Sequence, residues 1–113
     1  MEPIVYPLSK QDSFVSNSQR LREVSQELYD AFWSLRNAAD THSDLSERDI
    51  ELMFVAAFAA TVNEGGFRVH VNRAHKIGVS VKDLEQIVVL MLGTSLGLAP
   101  TVQLLVWLHE ELD

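Results

Sequence analysis

The run Leu52–Val62, in which every residue is apolar or Thr, constrains this chain more than any other stretch. Ser46 and Asp49 precede it as an S-x-x-D variant of the capping box, in which the Ser side chain accepts from the amide three residues on. A helix that is apolar all round is buried all round, so this one is expected at the centre of the fold. Asn63-Glu64-Gly65-Gly66 then reads as a turn. A second helix follows to Ile77, and Gly78 is placed to end it as a left-handed cap. Leu45–Gly78 is therefore an expected antiparallel helical hairpin.

Two titratable side chains sit on its apolar faces. At ~100° per residue Glu51 shares a face with Val55, Phe58 and Val62, and His70 with Phe67, Ala74 and Ile77. Each has an ordinary reading. Glu51 would be a first-turn acid facing solvent and favoured by the helix dipole, at ~0.3–1 kcal/mol, although Glu47 and Asp49 suit that role better. His70 would be a core histidine satisfied by a backbone carbonyl. The functional reading makes His70 a general acid or base, with Glu51 orienting it. At ~1.5 Å per residue Glu51 lies ~18 Å along the axis from Asn63 and His70 ~10 Å. Helix tilt, side-chain reach or a water has to close the ~8 Å that remain.

The order of these signals resembles the carboxymuconolactone decarboxylase family, which includes the AhpD-type alkylhydroperoxidases. The family pattern opens a central helix with Glu-Leu and an apolar run, as Glu51-Leu52 does here. A Cys-x-x-Cys pair usually follows, then three residues and a His; His70 matches that His, with Ala74, Gly78, Ser80 and Asp83 following at the family's spacing. The two cysteine positions fall on Asn63 and Gly66, and the chain has no Cys. The similarity runs from about Leu45 to the C-terminus, about three-fifths of the chain. Thiol peroxidase activity needs a thiolate to oxidise and a partner to resolve it, so that part of the family's chemistry is not expected here. What the resemblance implies is a Glu51–His70 proton relay, closer to the decarboxylase branch, on an AhpD-like fold that is commonly trimeric or hexameric.

Other side chains are candidates for the substrate. Arg73 lies within ~60° of His70 around the helix and would bind a substrate carboxylate, or else form a surface salt bridge. Asn63, Gly66 and Phe67 would line the pocket, though for Asn63 a turn with a cap is the simpler reading. His75 points away from the His70 face and is expected in solvent or at an interface, and Arg68 lies on the opposite face and is expected to be solvated. His70 and His75 at i, i+5 lack metal-ligand spacing, no H-E-x-x-H occurs, and Gly65-Gly66 is a turn rather than a phosphate loop, so neither metal nor cofactor is expected.

The flanking segments complete an all-α bundle of about five helices. Pro3 and Pro7 make residues 1–16 an expected extended arm, with a single helical domain over 17–113. Leu21, Val24, Leu28, Ala31, Phe32 and Leu35 recur at helical spacing in a first helix from about Asn17 to Ala39. Ser80 and Asp83 start a helix reaching about Leu96, and Pro100 stands near the first position of a last helix ending at Leu112. The blocks Leu52–Val62 and Ile87–Leu92 are hard to bury in a chain of 113 residues, so a homo-oligomer is expected to cover them. A net charge of −7 argues against nucleic acid and anionic membranes as partners. No apolar run approaches the ~20 residues of a membrane span. The opening MEPIVYPLSKQD has no basic start and no long apolar stretch, so a cytoplasmic location is expected, in keeping with the lack of Cys.

The expected function is a cofactor-independent lyase or isomerase acting on a small carboxylated molecule such as a lactone acid. The alternative is an oligomeric binding or structural protein that kept the fold and lost the chemistry.

Overall fold

The computed structural model describes residues 17–113. Among them are six α-helices and no strand, so the fold is all-α. The helices are α1 (Asn17–Val24), α2 (Gln26–Asp40), α3 (Glu47–Ala60), α4 (Glu64–Lys76), α5 (Val81–Leu90) and α6 (Leu98–Leu112), with a 3₁₀ turn at Met91–Gly93. The expected arm over 1–16 lies outside the described residues. The chain divides into two compact units at Leu45/Ser46.

In the first unit the expected single helix is broken at Ser25. That residue is extended, at φ −161° and ψ 120°, and its Oγ accepts from Leu28 N at 3.2 Å, so it caps α2 instead of continuing α1. No residue of α2 is buried, and Val24, Leu28, Phe32 and Leu35, which recur at helical spacing in the sequence, are exposed.

The second unit holds the hairpin. Ser46 Oγ accepts from Asp49 N at 3.0 Å and Ser80 Oγ from Asp83 N at 3.1 Å, so both S-x-x-D starts form as read. The turn is shorter than expected. Asn63 is the N-cap of α4, accepting from Gly66 N at 2.9 Å, and Glu64, Gly65 and Gly66 already belong to the helix. The reversal is made at Thr61-Val62. Val62 N bonds to Ala59 O and Asn63 N to Phe58 O, the two bonds of a Schellman cap, with Val62 at φ 52°. The same cap ends α4: Gly78 N bonds to His75 O and Val79 N to Ala74 O, with Gly78 at φ 101°.

α4 packs against α3 and α6, and α5 against α6 and α3. Val55 and Ala59 of α3, Phe67, Val71 and Ala74 of α4, Leu84 and Val88 of α5, and Leu104 and Leu108 of α6 close one core. Each large apolar side chain sealed there stabilises the fold by ~1.5–3 kcal/mol. Among the described residues α3 is not covered all round, because only one stripe, Glu51, Val55 and Ala59 at i, i+4, i+8, is buried and Met53 is 53% exposed. No helix among the described residues is long and apolar enough to cross a membrane.

Candidate active site

The buried stripe of α3 begins with an acid. Glu51 and His70 are each 4% exposed, and Glu51 Oε2 lies 3.0 Å from His70 Nδ1. The axial offset between them is therefore closed by direct contact. Part of the reason is Gly66. A Cβ there would meet the Phe58 ring at 2.5 Å, so the bare glycine lets α4 approach α3 beside that ring.

Phe54 and Phe58 lie one turn apart on α3 and fix the imidazole. Their ring centroids are 4.6 and 5.4 Å from that of His70, with interplanar angles of 21° and 16°. The two phenyl centroids are 6.3 Å apart. Sequence reading had Phe58 on the Glu51 face but gave Phe54 no part in the site.

An ionised carboxylate only accepts hydrogen bonds, so against Glu51 the His70 hydrogen belongs on Nδ1. Nε2 has no hydrogen-bond partner among the described residues and is not sealed from solvent. One nitrogen is thus anchored and the other is left for chemistry. Arg73 brings Nη1 to 4.0 Å from Glu51 Oε1, with its side chain 14% exposed. It stands beside the Glu51–His70 pair rather than in a surface ion pair.

The remaining candidates stand elsewhere. Asn63 uses its side-chain oxygen as the α4 cap. Gly66 packs on Phe58. Phe67 is sealed in the core, its ring 6.5 Å from Trp107. His75 is exposed, with Nδ1 3.1 Å from Val79 O.

Arg68, expected at the surface, is instead buried between α4 and α6. Its guanidinium meets Glu64 at 3.0 Å, Glu110 at 2.6 Å and Glu111 at 3.5 Å. Asn72 donates to Glu111 at 2.9 Å. Burial works to lower the Arg68 pKa, but the bonds to Glu110 and Glu64 together outweigh it and hold the guanidinium above its ordinary range. At the end of α6, His109 places Nε2 2.9 Å from Glu85 and Nδ1 3.1 Å from Asp113. Those two carboxylates, Glu85 first, raise its pKa above the usual histidine value. An open groove along α6, lined by Val102, Leu105, Val106, His109, Glu110 and Asp113, contains neither Glu51 nor His70. No three His, Asp or Glu side chains among the described residues are grouped to hold a metal ion.

Compared with known proteins, a model of the carboxymuconolactone decarboxylase family matches residues 26–102, about two thirds of the chain. No curated protein and no solved structure matches it.

Proposed function

The chain belongs to the carboxymuconolactone decarboxylase family, and on that footing we propose that it is a cofactor-independent acid–base enzyme of the decarboxylase branch, acting on a small carboxylated molecule such as a lactone acid. One observation carries this reading. A buried Glu51–His70 pair at 3.0 Å leaves Nε2 without a hydrogen-bond partner among the described residues. Thiol peroxidase chemistry is not proposed, since the chain has no Cys.

The chemistry asks little of the protein beyond a proton held at one atom. When carbon dioxide leaves, the electrons of the breaking carbon–carbon bond pass into the substrate's own sink, a lactone or enone carbonyl. Protonated His70 then gives the Nε2 hydrogen to the carbon that lost the carboxylate, and water restores it. Isomerisation uses the same nitrogen first as base and then as acid. Glu51 holds Nδ1 and stabilises the imidazolium whenever it forms.

The reading is tested by incubating the protein with a panel of small lactone acids and following mass loss or isomer formation. Turnover that disappears in His70→Gln supports it. Binding without turnover, or neither, favours the non-catalytic alternative.

We also propose a homo-oligomer, trimeric or hexameric. Met53 on α3, Val89 and Leu90 at the end of α5, and Leu92 in the 3₁₀ turn after it are exposed, in the two apolar blocks that a neighbour would cover. Light scattering at micromolar concentration should give a mass of three or six chains, and a stable monomer would refute it.

A further inference from the structure

Glu51 is buried, and among the described residues its carboxylate meets two partners, His70 on Oε2 and Arg73 on Oε1. A neutral imidazole donates a hydrogen there but brings no charge. A carboxylate held out of water without a countercharge is strongly disfavoured. Were His70 to supply that charge, it would be fixed as imidazolium, with no lone pair on Nε2 to take a proton. Another cation has to balance Glu51 if His70 is to work in both directions.

Arg73 is that cation. It follows His70 by three residues on α4, so the two side chains rise from one face of the helix toward the same carboxylate. Its side chain is largely buried and its guanidinium stays charged at any working pH. At 4.0 Å the contact with Oε1 is an ion pair and not a hydrogen bond, so charge couples the two groups rather than a fork geometry.

We propose that Arg73 is a positioning residue of this site, the standing countercharge of the Glu51 carboxylate, which leaves His70 free to be neutral with its hydrogen on Nδ1 and its lone pair on Nε2. This rests on the relay reading of Glu51 and His70, and it gives Arg73 a task before any substrate arrives.

The test needs no substrate. The full chain is labelled with ¹⁵N-histidine, and the His70 ring signals, assigned by their loss in His70→Gln, are followed from pH 5 to 9. In the parent the ring nitrogens show hydrogen on Nδ1 and a bare Nε2 at the alkaline end. In Arg73→Gln the ring takes its second proton at a pH about one unit higher, a tenfold gain in proton affinity. Arg73→Lys returns it toward the parent, because a charge is restored. A purely structural role predicts no such rescue. A folded Arg73→Gln that titrates with the parent overturns the proposal. Where Arg73→Gln does not fold, Glu51→Gln/Arg73→Gln decides. With the carboxylate gone no countercharge is needed, so the double variant is the more stable one, and a double no more stable than Arg73→Gln overturns the proposal. A neutral parent ring whose one hydrogen sits on Nε2 refutes the relay itself, a different result from an Arg73→Gln titration that does not move.

Discussion

Helix α4 carries two buried ionic clusters of opposite construction. Around Arg68 one guanidinium faces Glu64, Glu110 and Glu111, and its bonds fasten α4 to the end of α6. Around Glu51 one carboxylate faces an arginine and a histidine, and the histidine keeps a nitrogen in reserve. Both are buried and both hold hydrogen bonds near 3 Å or shorter. Burial of charge therefore does not separate a staple from a site. What separates them is whether an atom able to take or give a proton is left unengaged, as Nε2 of His70 is among the described residues.

The largest effect expected from that contrast is on turnover. Replacing Glu51 or His70 by Gln should each lower kcat by about 10²–10⁴-fold, and the double variant should lose little more, because residues acting as one unit are not additive. Arg68→Ala, assayed on the folded fraction, should leave kcat within a few-fold of the parent. Losses that multiply across Glu51 and His70 would break the relay.

Stability should respond the other way round. Arg68→Ala takes the guanidinium away from the Glu111 carboxylate, whose side chain is 5% exposed. A broken buried pair costs ~3–5 kcal/mol. Glu110 is 56% exposed and rehydrates easily, so ~2–3 kcal/mol in denaturant melts is expected here. A loss under ~0.5 kcal/mol, the level of an ordinary surface change, would mean that the cluster is not a staple.

Gly65 and Gly66 sharpen the comparison on the relay side. Gly→Ala in a helix ordinarily gains up to ~1 kcal/mol. Gly65→Ala should show that gain, since the nearest neighbour is Asn63 Oδ1 at 4.0 Å. Gly66→Ala drives a methyl into the Phe58 ring, and ~1–3 kcal/mol of overpacking should outweigh the propensity. The His70 ring resonances should move in Gly66→Ala and not in Gly65→Ala.

The smallest effect belongs to His109, which supplies the exposed counterpart of both clusters. Its pKa is raised by Glu85 and Asp113, so its link between α5 and α6 is at full strength below the unfolded histidine value of about 6.5 and fades as pH rises through the folded value. Parent and His109→Gln melting curves should differ most near pH 6, converge as pH rises, and converge further in salt. A gap that widens with pH would contradict this sign.

What was legible in the sequence is what is local. Ser46, Ser80 and Gly78 could be read because each cap bonds within five residues. The faces of Glu51 and His70 followed from helical phase. Their contact did not, because the axial offset is closed by how nearly α4 approaches α3, and that depends on Gly66 against a ring eight residues earlier. Arg68 was misread because Glu110 stands 42 positions away on another helix. The break at Ser25 was missed because a Ser inside a periodic stretch looks like any polar helix residue until its backbone turns extended.

The two Schellman caps of the hairpin differ in one residue. Gly78 takes its left-handed backbone freely, whereas Val62 holds φ 52° with a branched side chain, at a cost of roughly 1–2 kcal/mol. For laboratory evolution this turn is an untapped reserve of heat tolerance. Val62→Gly or Val62→Asn would relax it, less whatever this half-buried side chain gains by packing. A library meant to carry riskier changes around Glu51 and His70 would start from a parent relaxed there.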